Sequence, residues 1–181
     1  MNKLVTILSF SSRKKGNCAA VSTHLKNHYT QAEICIVQLL PCGNCDYECL
    51  TAVKSCPRLE PDQTQIMDAI CRSDLVYFVV PNYCGYPCAN YFAFNERSVG
   101  YFGMDRAKME RYMNVRKRFI IISNTEGFED AMQQQTYEAP DILYLKSRKY
   151  GSRSIDGNML ESEAARADLD AFLANDGLSA M

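Results

Sequence analysis

The chain has 181 residues, of which 47% are hydrophobic and 23% charged, and its formal net charge is -1. This length and composition suit one compact domain over residues 1–181, and the near-neutral charge argues against a nucleic-acid-binding surface, which needs a basic excess. No apolar run approaches the length of a membrane span, and the N-terminal run is too short for a secretory signal, so we expect a cytoplasmic protein with no membrane partner. Nine cysteines in a reducing compartment are expected to be thiols, metal ligands or redox groups before they are disulfides.

The N-terminal stretch contains the clearest candidate for a binding site. Residues 3–10 form a near-continuous apolar run, which predicts a strand buried on both faces of a parallel sheet. The next turn carries hydroxyls, three consecutive cations at positions 13–15, and Gly16, which permits a close backbone turn. Asn17 is predicted to cap the following helix, whose apolar face begins at Cys18. Because unpaired N–H groups at a helix N-terminus attract anions, we interpret this turn as a phosphate-binding loop; a merely solvated connection is the alternative.

The rest of the chain alternates apolar strands with helices. Further strands are predicted over residues 32–40, 75–80, 119–123 and 142–145. Helices are predicted over residues 62–72, from Pro87 to residue 97, within 104–113, over 128–136 and at the C-terminus. The C-terminal helix is predicted to bury Leu160, Ala164, Leu169, Phe172 and Leu173.

This alternation predicts an α/β fold, a three-layer sandwich with a five-stranded parallel sheet. The length and the strand count favour the flavodoxin-like order 2-1-3-4-5, in which strands 1 and 3 are neighbours and leave a crevice at their carboxyl ends. In flavodoxin itself, FMN binds at this crevice. The two most distinctive loops of the chain follow strands 1 and 3, and this coincidence predicts a flavin cofactor.

Two loop motifs carry a resemblance to a known family. Residues 10–18, Phe-Ser-Ser-Arg-Lys-Lys-Gly-Asn-Cys, occupy the frame of a loop of the form Gly-Ser-Pro-Arg-Lys-x-Gly-Asn-Thr. Residues 81–85 and 94–97 match a second pattern, Pro-x-Tyr-x-Gly followed by Phe-x-Asp-Arg. With these motifs in register, the chain resembles the NADPH-dependent FMN reductase branch of the flavodoxin-like superfamily, which includes iron-sulfur flavoproteins.

The resemblance implies a set of cofactor-binding residues. The FMN phosphate would be surrounded by Ser11, Arg13, Asn17 and Cys18, with Gly16 at the turn. The isoalloxazine ring would be flanked by Pro81, Asn82, Tyr83, Cys84 and Gly85, and its pyrimidine side closed by a third loop containing Ser123, Asn124, Thr125 and Gly127. The alternative for Tyr83 and Tyr86 is ordinary aromatic packing at a sheet edge, and for Asn82 a turn-forming role.

The first loop departs from the family pattern at two positions. Phe10 replaces a glycine that lets the backbone approach the phosphate closely, and Cys18 replaces a threonine whose hydroxyl helps to hold it. A thiol is a weaker hydrogen-bond donor than a hydroxyl, so we expect a reduced affinity for the phosphate.

Residues 41–57, after the second predicted strand, form a cysteine-rich loop with four cysteines close together. Cys42, Cys45, Cys49 and Cys56 form a C-x2-C-x3-C-x6-C pattern, and clustered thiolates suit a [4Fe-4S] cluster or a structural zinc. The iron-sulfur flavoproteins carry a compact four-cysteine motif in the same loop, with a shorter middle spacing. The alternative is a reduced loop whose thiols pack near the flavin or a neighbouring subunit.

The resemblance implies an FMN-dependent NAD(P)H oxidoreductase that passes electrons to a quinone, a free flavin or another small-molecule acceptor, in a homodimer or tetramer. Because the flavin does the chemistry at its N5 atom, no catalytic side chain is predicted. One alternative is an electron carrier, with FMN and with or without a cluster, that docks on a redox protein without small-molecule turnover. Such a carrier usually shows a strongly acidic face, which this chain does not. A third alternative is a metal or ligand sensor that lacks flavin.

Overall fold

The computed structural model describes residues 3–43, 45, 56, 58–126, 129–135 and 141–177. The strands of this part of the chain are β1 (Val5–Ser9), β2 (Ala32–Ile36), β3 (Leu75–Tyr83), β4 (Tyr86–Pro87), β5 (Arg116–Ser123) and β6 (Asp141–Lys146). Its α-helices are α1 (Asn17–His28), α2 (Pro61–Arg72), α3 (Ala89–Phe102), α4 (Arg106–Asn114), α5 (Glu129–Gln135) and α6 (Glu163–Ala174). Short 3-10 helices cover Ser147–Tyr150 and Met159–Glu161. None of the helices in these ranges has the length and apolar character that crossing a bilayer would require.

The parallel sheet has the order β2-β1-β3-β5-β6. Strand β4 lies off this path and pairs antiparallel with the end of β3. The predicted flavodoxin-like order is therefore confirmed, because β5 and β6 are the fourth and fifth strands of the parallel sheet. Val5 in β1 pairs with Ala32 on one side and with Leu75 on the other. The winding direction reverses at β1, so the loops that follow β1 and β3 leave the sheet side by side.

The sheet is buried on both faces, which explains why its strands are continuous apolar runs. Alternate residues of β3 point to opposite sides. Phe78 and Val80 pack in the core beneath α2 and α3, whereas Tyr77 and Val79 pack in the core beneath α1 and α6. Helices α1 and α3 therefore reach the same carboxyl edge of the sheet from opposite faces.

The structure corrects the predicted start of α1 and the predicted buried face of α6. Gly16, not Asn17, is the N-cap of α1, and Asn17 is its first helical residue. In α6 the buried alanine is Ala165, whereas Ala164 is exposed. The predicted face was counted from Leu160, which lies in a separate 3-10 helix, so the helical phase of α6 cannot be extended back to it.

Candidate functional site

The loop after β1 turns sharply into helix α1. Residues 12–15 are exposed, and three of them are cations. Among the residues that the structure describes, no side chain caps the N-terminus of α1, so its first-turn N–H groups and the positive end of the helix dipole face this loop. Gly16 is tightly placed, because a Cβ there would lie 3.3 Å from the Cβ of Arg13. The loop thus has the features of an anion site.

Phe10, which departs from the family pattern, points away from this loop. Its side chain is 1% exposed and packs against the rings of Phe78, Tyr91 and Phe94, with centroid separations of 5.8, 5.5 and 5.6 Å. Its carbonyl oxygen accepts a hydrogen bond from the Cys88 thiol at 3.3 Å. The aromatic ring is therefore part of the core beneath α2 and α3, and it does not cover the open side of the loop.

Cys18, the second departure, is a buried thiol at the edge of the loop. It packs with Val21 and Leu25 beneath α1 and hydrogen-bonds with Ser11. Burial raises the pKa of the Cys18 thiol to about 12, and the nearby Cys88 thiol also raises it. The group is therefore neutral at ordinary pH, so it puts no negative charge beside the anion site.

The Asn17 side chain is fully buried and faces the connection between β6 and α6. Its Nδ2 atom donates to the Ser152 hydroxyl at 3.2 Å and to the Arg153 carbonyl at 2.8 Å. Its Oδ1 atom accepts from the backbone N–H of Met159 at 3.0 Å. These three bonds commit the side chain to a segment that the sequence motifs did not point to.

The loop after β3 is a tight hairpin. Cys84 and Gly85 have φ angles of 55° and 85°, and positive φ at both central residues defines a type I′ turn. Asn82 supports the turn, since its Oδ1 atom accepts from the N–H of Gly85 at 3.0 Å. Pro81 and Asn82 are buried at the end of β3. The prediction that Pro87 begins a helix was wrong, because Pro87 pairs with Asn82 in β4 and α3 starts two residues later.

The hairpin and the first loop follow neighbouring strands and lie at the same edge of the sheet. The Tyr83 and Tyr86 side chains are 50% and 57% exposed and form an aromatic surface on the hairpin. Partial burial raises the pKa of the Tyr83 hydroxyl. The thiols of Cys18 and Cys88 raise it further, whereas the Arg13 guanidinium lowers it, so all three groups lie within electrostatic range of this hydroxyl. A basic loop and an aromatic surface therefore lie at the same edge of the sheet, at the carboxyl ends of β1 and β3.

The third predicted loop follows β5. The Ser123 hydroxyl accepts from the N–H of Thr125 at 3.2 Å, which closes a local turn. The Asn124 Oδ1 atom accepts from the N–H of Ser154 at 2.5 Å, so this loop also contacts the connection between β6 and α6. Gly127 lies outside the described residues.

The described cysteines of the cysteine-rich loop lie beside α3. Cys42, Cys45 and Cys56 line one cavity there. Cys56 packs closely against Gly100 of α3, since a Cβ added to Gly100 would lie 2.8 Å from the Cβ of Cys56. Within the described ranges, no group of three or more metal-ligating side chains is placed to hold a metal ion. Cys49 is outside those ranges. The cluster hypothesis thus has no support from the described part of this loop.

Arg97 fastens this loop, a role that the sequence motifs did not indicate. Its guanidinium is 5% exposed and donates to the carbonyl oxygen of Leu40, to that of Arg58 at 3.0 Å and to the Glu60 carboxylate at 3.1 Å. Leu40 comes just before the cysteine-rich loop, and Arg58 and Glu60 come just after it. Arg97 therefore holds the two ends of the loop together.

No family model matches the chain, and no curated protein matches it in sequence. Solved structures do resemble it. The Trp repressor binding protein from Bacillus subtilis has a TM-score of 0.61 and 12% identity, over 95% of this chain and 98% of its own. The flavoenzyme NAD(P)H:(acceptor) oxidoreductase FerB from Paracoccus denitrificans has a TM-score of 0.56 and 15% identity, over 95% of this chain and 96% of its own. The NAD(P)H:quinone oxidoreductase from Methanothermobacter marburgensis has a TM-score of 0.59 and 12% identity, over 100% and 99%. At these identities the similarity establishes the shared fold.

Proposed function

We propose that the chain binds FMN in the crevice between the first loop and the β3–β4 hairpin, and that it passes electrons from NADH or NADPH to a small acceptor such as a quinone or a free flavin. The observation that carries this proposal is that an uncapped, cation-rich helix N-terminus and a half-exposed aromatic surface lie together where the winding direction of the sheet reverses. Two of the three similar structures described above are NAD(P)H oxidoreductases, and one of these is a flavoenzyme, which supports the same chemistry.

The first loop suits the phosphate end of FMN. Backbone N–H groups of the first turn of α1 and the helix dipole favour a dianion, and Arg13 adds a guanidinium suited to phosphate oxygens. Ser11 supplies a hydroxyl and Cys18 a neutral thiol. Residues 10–18 contain no carboxylate that would repel the phosphate. Because the Phe10 ring lies in the core, the backbone of the loop stays accessible on its open side.

The hairpin and the third loop suit the ring end. The exposed faces of Tyr83 and Tyr86 offer a flat apolar surface next to the first loop, and stacking on such a surface suits an aromatic heterocycle. Asn82 holds the turn in one conformation, so this surface has a fixed orientation. The turn of Ser123 and Thr125 borders the same edge of the sheet, and the exposed Thr125 supplies a hydroxyl for the polar side of the ring.

Bound FMN would supply the chemistry of accepting a hydride and donating electrons. The protein's own part is to hold the phosphate, orient the ring and leave one face open to the nicotinamide and the acceptor. No acid or base among these residues is required for that work. We also propose that the chain forms a homodimer or tetramer. The crevice at the surface of one subunit would then lie beside the interface with another.

The first experiment is a titration of the purified apoprotein with FMN, followed by flavin fluorescence. Arg13→Glu should weaken FMN binding at least tenfold, because a charge-assisted contact worth about 1.5–3 kcal/mol is lost and a repulsive charge is added. Lys26→Glu is the matched control. It makes the same charge change at an exposed position nine residues after Asn17, about 14 Å along the axis of α1, and should leave the affinity within twofold. Equal effects of the two variants would contradict the placement of the phosphate.

The second experiment separates the candidate functions. Steady consumption of NADH or NADPH with a quinone or free flavin supports the oxidoreductase. A yellow protein that takes up FMN but shows no such turnover indicates the electron carrier, and a colourless protein that does not take up FMN favours the sensor. Iron and acid-labile sulfide in protein purified without oxygen, lost in Cys45→Ser, would reveal a [4Fe-4S] cluster in the cysteine-rich loop.

A further inference from the structure

We propose that residues 151–159, in the connection between β6 and α6, form a strap that holds the phosphate-binding loop in shape, and that Asn17 and Gly157 are positioning residues of the anion site. This inference rests on the proposed function for its ligand. It assigns a role to a segment that no loop motif includes. It also gives Asn17 a different role from the phosphate contact that the family resemblance implies.

The first support is the side chain of Asn17. It is 0% exposed, and its three hydrogen bonds, at 2.8, 3.0 and 3.2 Å, all go to the strap. A buried amide with good partners is costly to disturb, because each lost partner leaves a desolvated polar atom. Asn17 is also the first residue of α1. The strap is thus bonded to the helix turn whose N–H groups form the anion site.

The second support is a backbone-to-backbone contact at Gly157. This residue has a φ angle of +80°, and a Cβ added to it would lie 2.0 Å from the carbonyl oxygen of Lys15 and 3.5 Å from the Cα of Gly16. No side chain fits into that space. The strap therefore presses directly on the loop at the two residues that lead into α1.

The third support is the weakness of the bonds inside the loop. The N–H of Arg13 donates to the Ser11 hydroxyl at 3.4 Å, and the N–H of Gly16 donates to the Arg13 carbonyl at 3.5 Å. Both distances are at the long end for hydrogen bonds, where the interaction is weak. Residues 11–16 therefore depend on contacts from outside the loop for their conformation, and the strap supplies them.

The strap itself is firmly built. The Ser152 hydroxyl, 4% exposed, donates to the Asn158 Oδ1 atom at 2.6 Å, and the Arg153 guanidinium pairs with Asp156 at 2.7 Å. The strap also contacts the third loop, through the bond from the Ser154 N–H to Asn124. The strap thus joins the loop that would hold the phosphate to the loop that would border the ring. A displacement of the strap should change the phosphate site more than the third loop, because the backbone of Gly157 lies directly against that of Lys15.

The test uses two alanine substitutions within the strap. Gly157→Ala introduces a Cβ that collides with Lys15, so the loop must move. Gly151→Ala is the matched control. Its φ angle is +72°, so the conformational cost of alanine is similar, but a Cβ there has nothing within 4 Å. Each variant is titrated with FMN and with riboflavin, which lacks the phosphate, and the exchange of backbone amides in residues 10–18 is measured by mass spectrometry.

We expect Gly157→Ala to bind FMN at least tenfold more weakly than Gly151→Ala does, with riboflavin affinity unchanged, and to exchange the loop amides at least tenfold faster. If Gly157→Ala does not fold, Ser152→Ala provides the second variant, with a smaller loss in the same direction because it removes one bond to Asn17. Equal FMN affinities and equal exchange in the two glycine variants would overturn the inference, as would an equal loss of FMN and riboflavin. If the wild type binds no flavin at all, the proposed function fails, and the amide exchange still decides whether the strap holds the loop.

Discussion

Replacing Cys18 with threonine should tighten FMN binding, because it puts a hydroxyl where the structure has a weak thiol donor. The side chain is 3% exposed at the second position of α1 and hydrogen-bonds with Ser11 at the edge of the loop. A hydrogen bond from a hydroxyl to a charged acceptor contributes about 1.5–3 kcal/mol, and a thiol is the weaker donor. A gain of about 1 kcal/mol, or roughly fivefold in affinity, is therefore expected.

The control is Cys18→Val, which has nearly the shape of threonine without its hydroxyl. Both variants add a methyl group among Val21 and Leu25 and share any cost of overpacking, so the difference between them isolates the hydroxyl. Flavin fluorescence titrations of the three proteins measure the affinities. Because the pKa of the thiol is raised by burial to about 12, the ratio of wild-type to threonine affinity should be constant from pH 6.5 to 9. Equal affinities of the threonine and valine variants would refute the position of this side chain at the phosphate.

Three further substitutions test the stability of the fold. Cys84→Asn should raise the free energy of unfolding by about 0.5–1 kcal/mol in urea, since asparagine tolerates the φ of 55° better and favours type I′ turns; an unchanged midpoint would contradict this. Arg118→Met should lower it by about 1–2 kcal/mol, because it removes the guanidinium that lies 3.6 Å from the centre of the Phe172 ring and its hydrogen bond to the Tyr77 hydroxyl, whereas Asp141 keeps its pair with Arg116; an unchanged midpoint would contradict this. Asp168→Asn should flatten the acid side of the stability profile. The hydrogen bond from Tyr150 lowers the pKa of Asp168, so its contribution is present above the unfolded pKa of about 3.9 and is lost as the pH falls through the lower folded value. Equal slopes of stability from pH 5 to 3 in the two proteins would contradict that assignment.

The sheet order and the place of the candidate site were predictable from local patterns. Uninterrupted apolar runs such as residues 75–80 identify strands buried on both faces, and their alternation with helices leaves few topologies. The order β2-β1-β3-β5-β6 then brings together the loops after β1 and β3 whatever their sequence. The orientation of Phe10 was not predictable in this way, because it depends on whether the first residue after β1 still follows the alternation of the strand. It does, and the ring enters the core.

The contacts that hold the loops depend on distant parts of the chain. The Asn17 side chain bonds to Ser152 and Arg153, which are 135 and 136 positions further along the chain. No local sequence pattern indicates such partners. The local preference of asparagine for helix N-caps pointed to a different role. For Gly157 a faint indication existed, since a glycine in a long connection suggests a positive φ or a close approach, and the structure shows both. The two-residue strand β4 was missed because Pro87 is equally suited to the first turn of a helix.

Asn17 and Arg97 solve the same physical problem on opposite faces of the sheet. A loop beyond the end of a strand has no neighbouring strand to bond its backbone, so a buried polar side chain with several backbone partners can supply the missing bonds. Asn17 extends from α1 and Arg97 from α3, and these helices pack in separate cores on the two sides of the sheet. Their partners are also separate, since Asn17 bonds to the strap and Arg97 to the ends of the cysteine-rich loop. The first loop and the ends of the cysteine-rich loop are therefore bonded by different side chains.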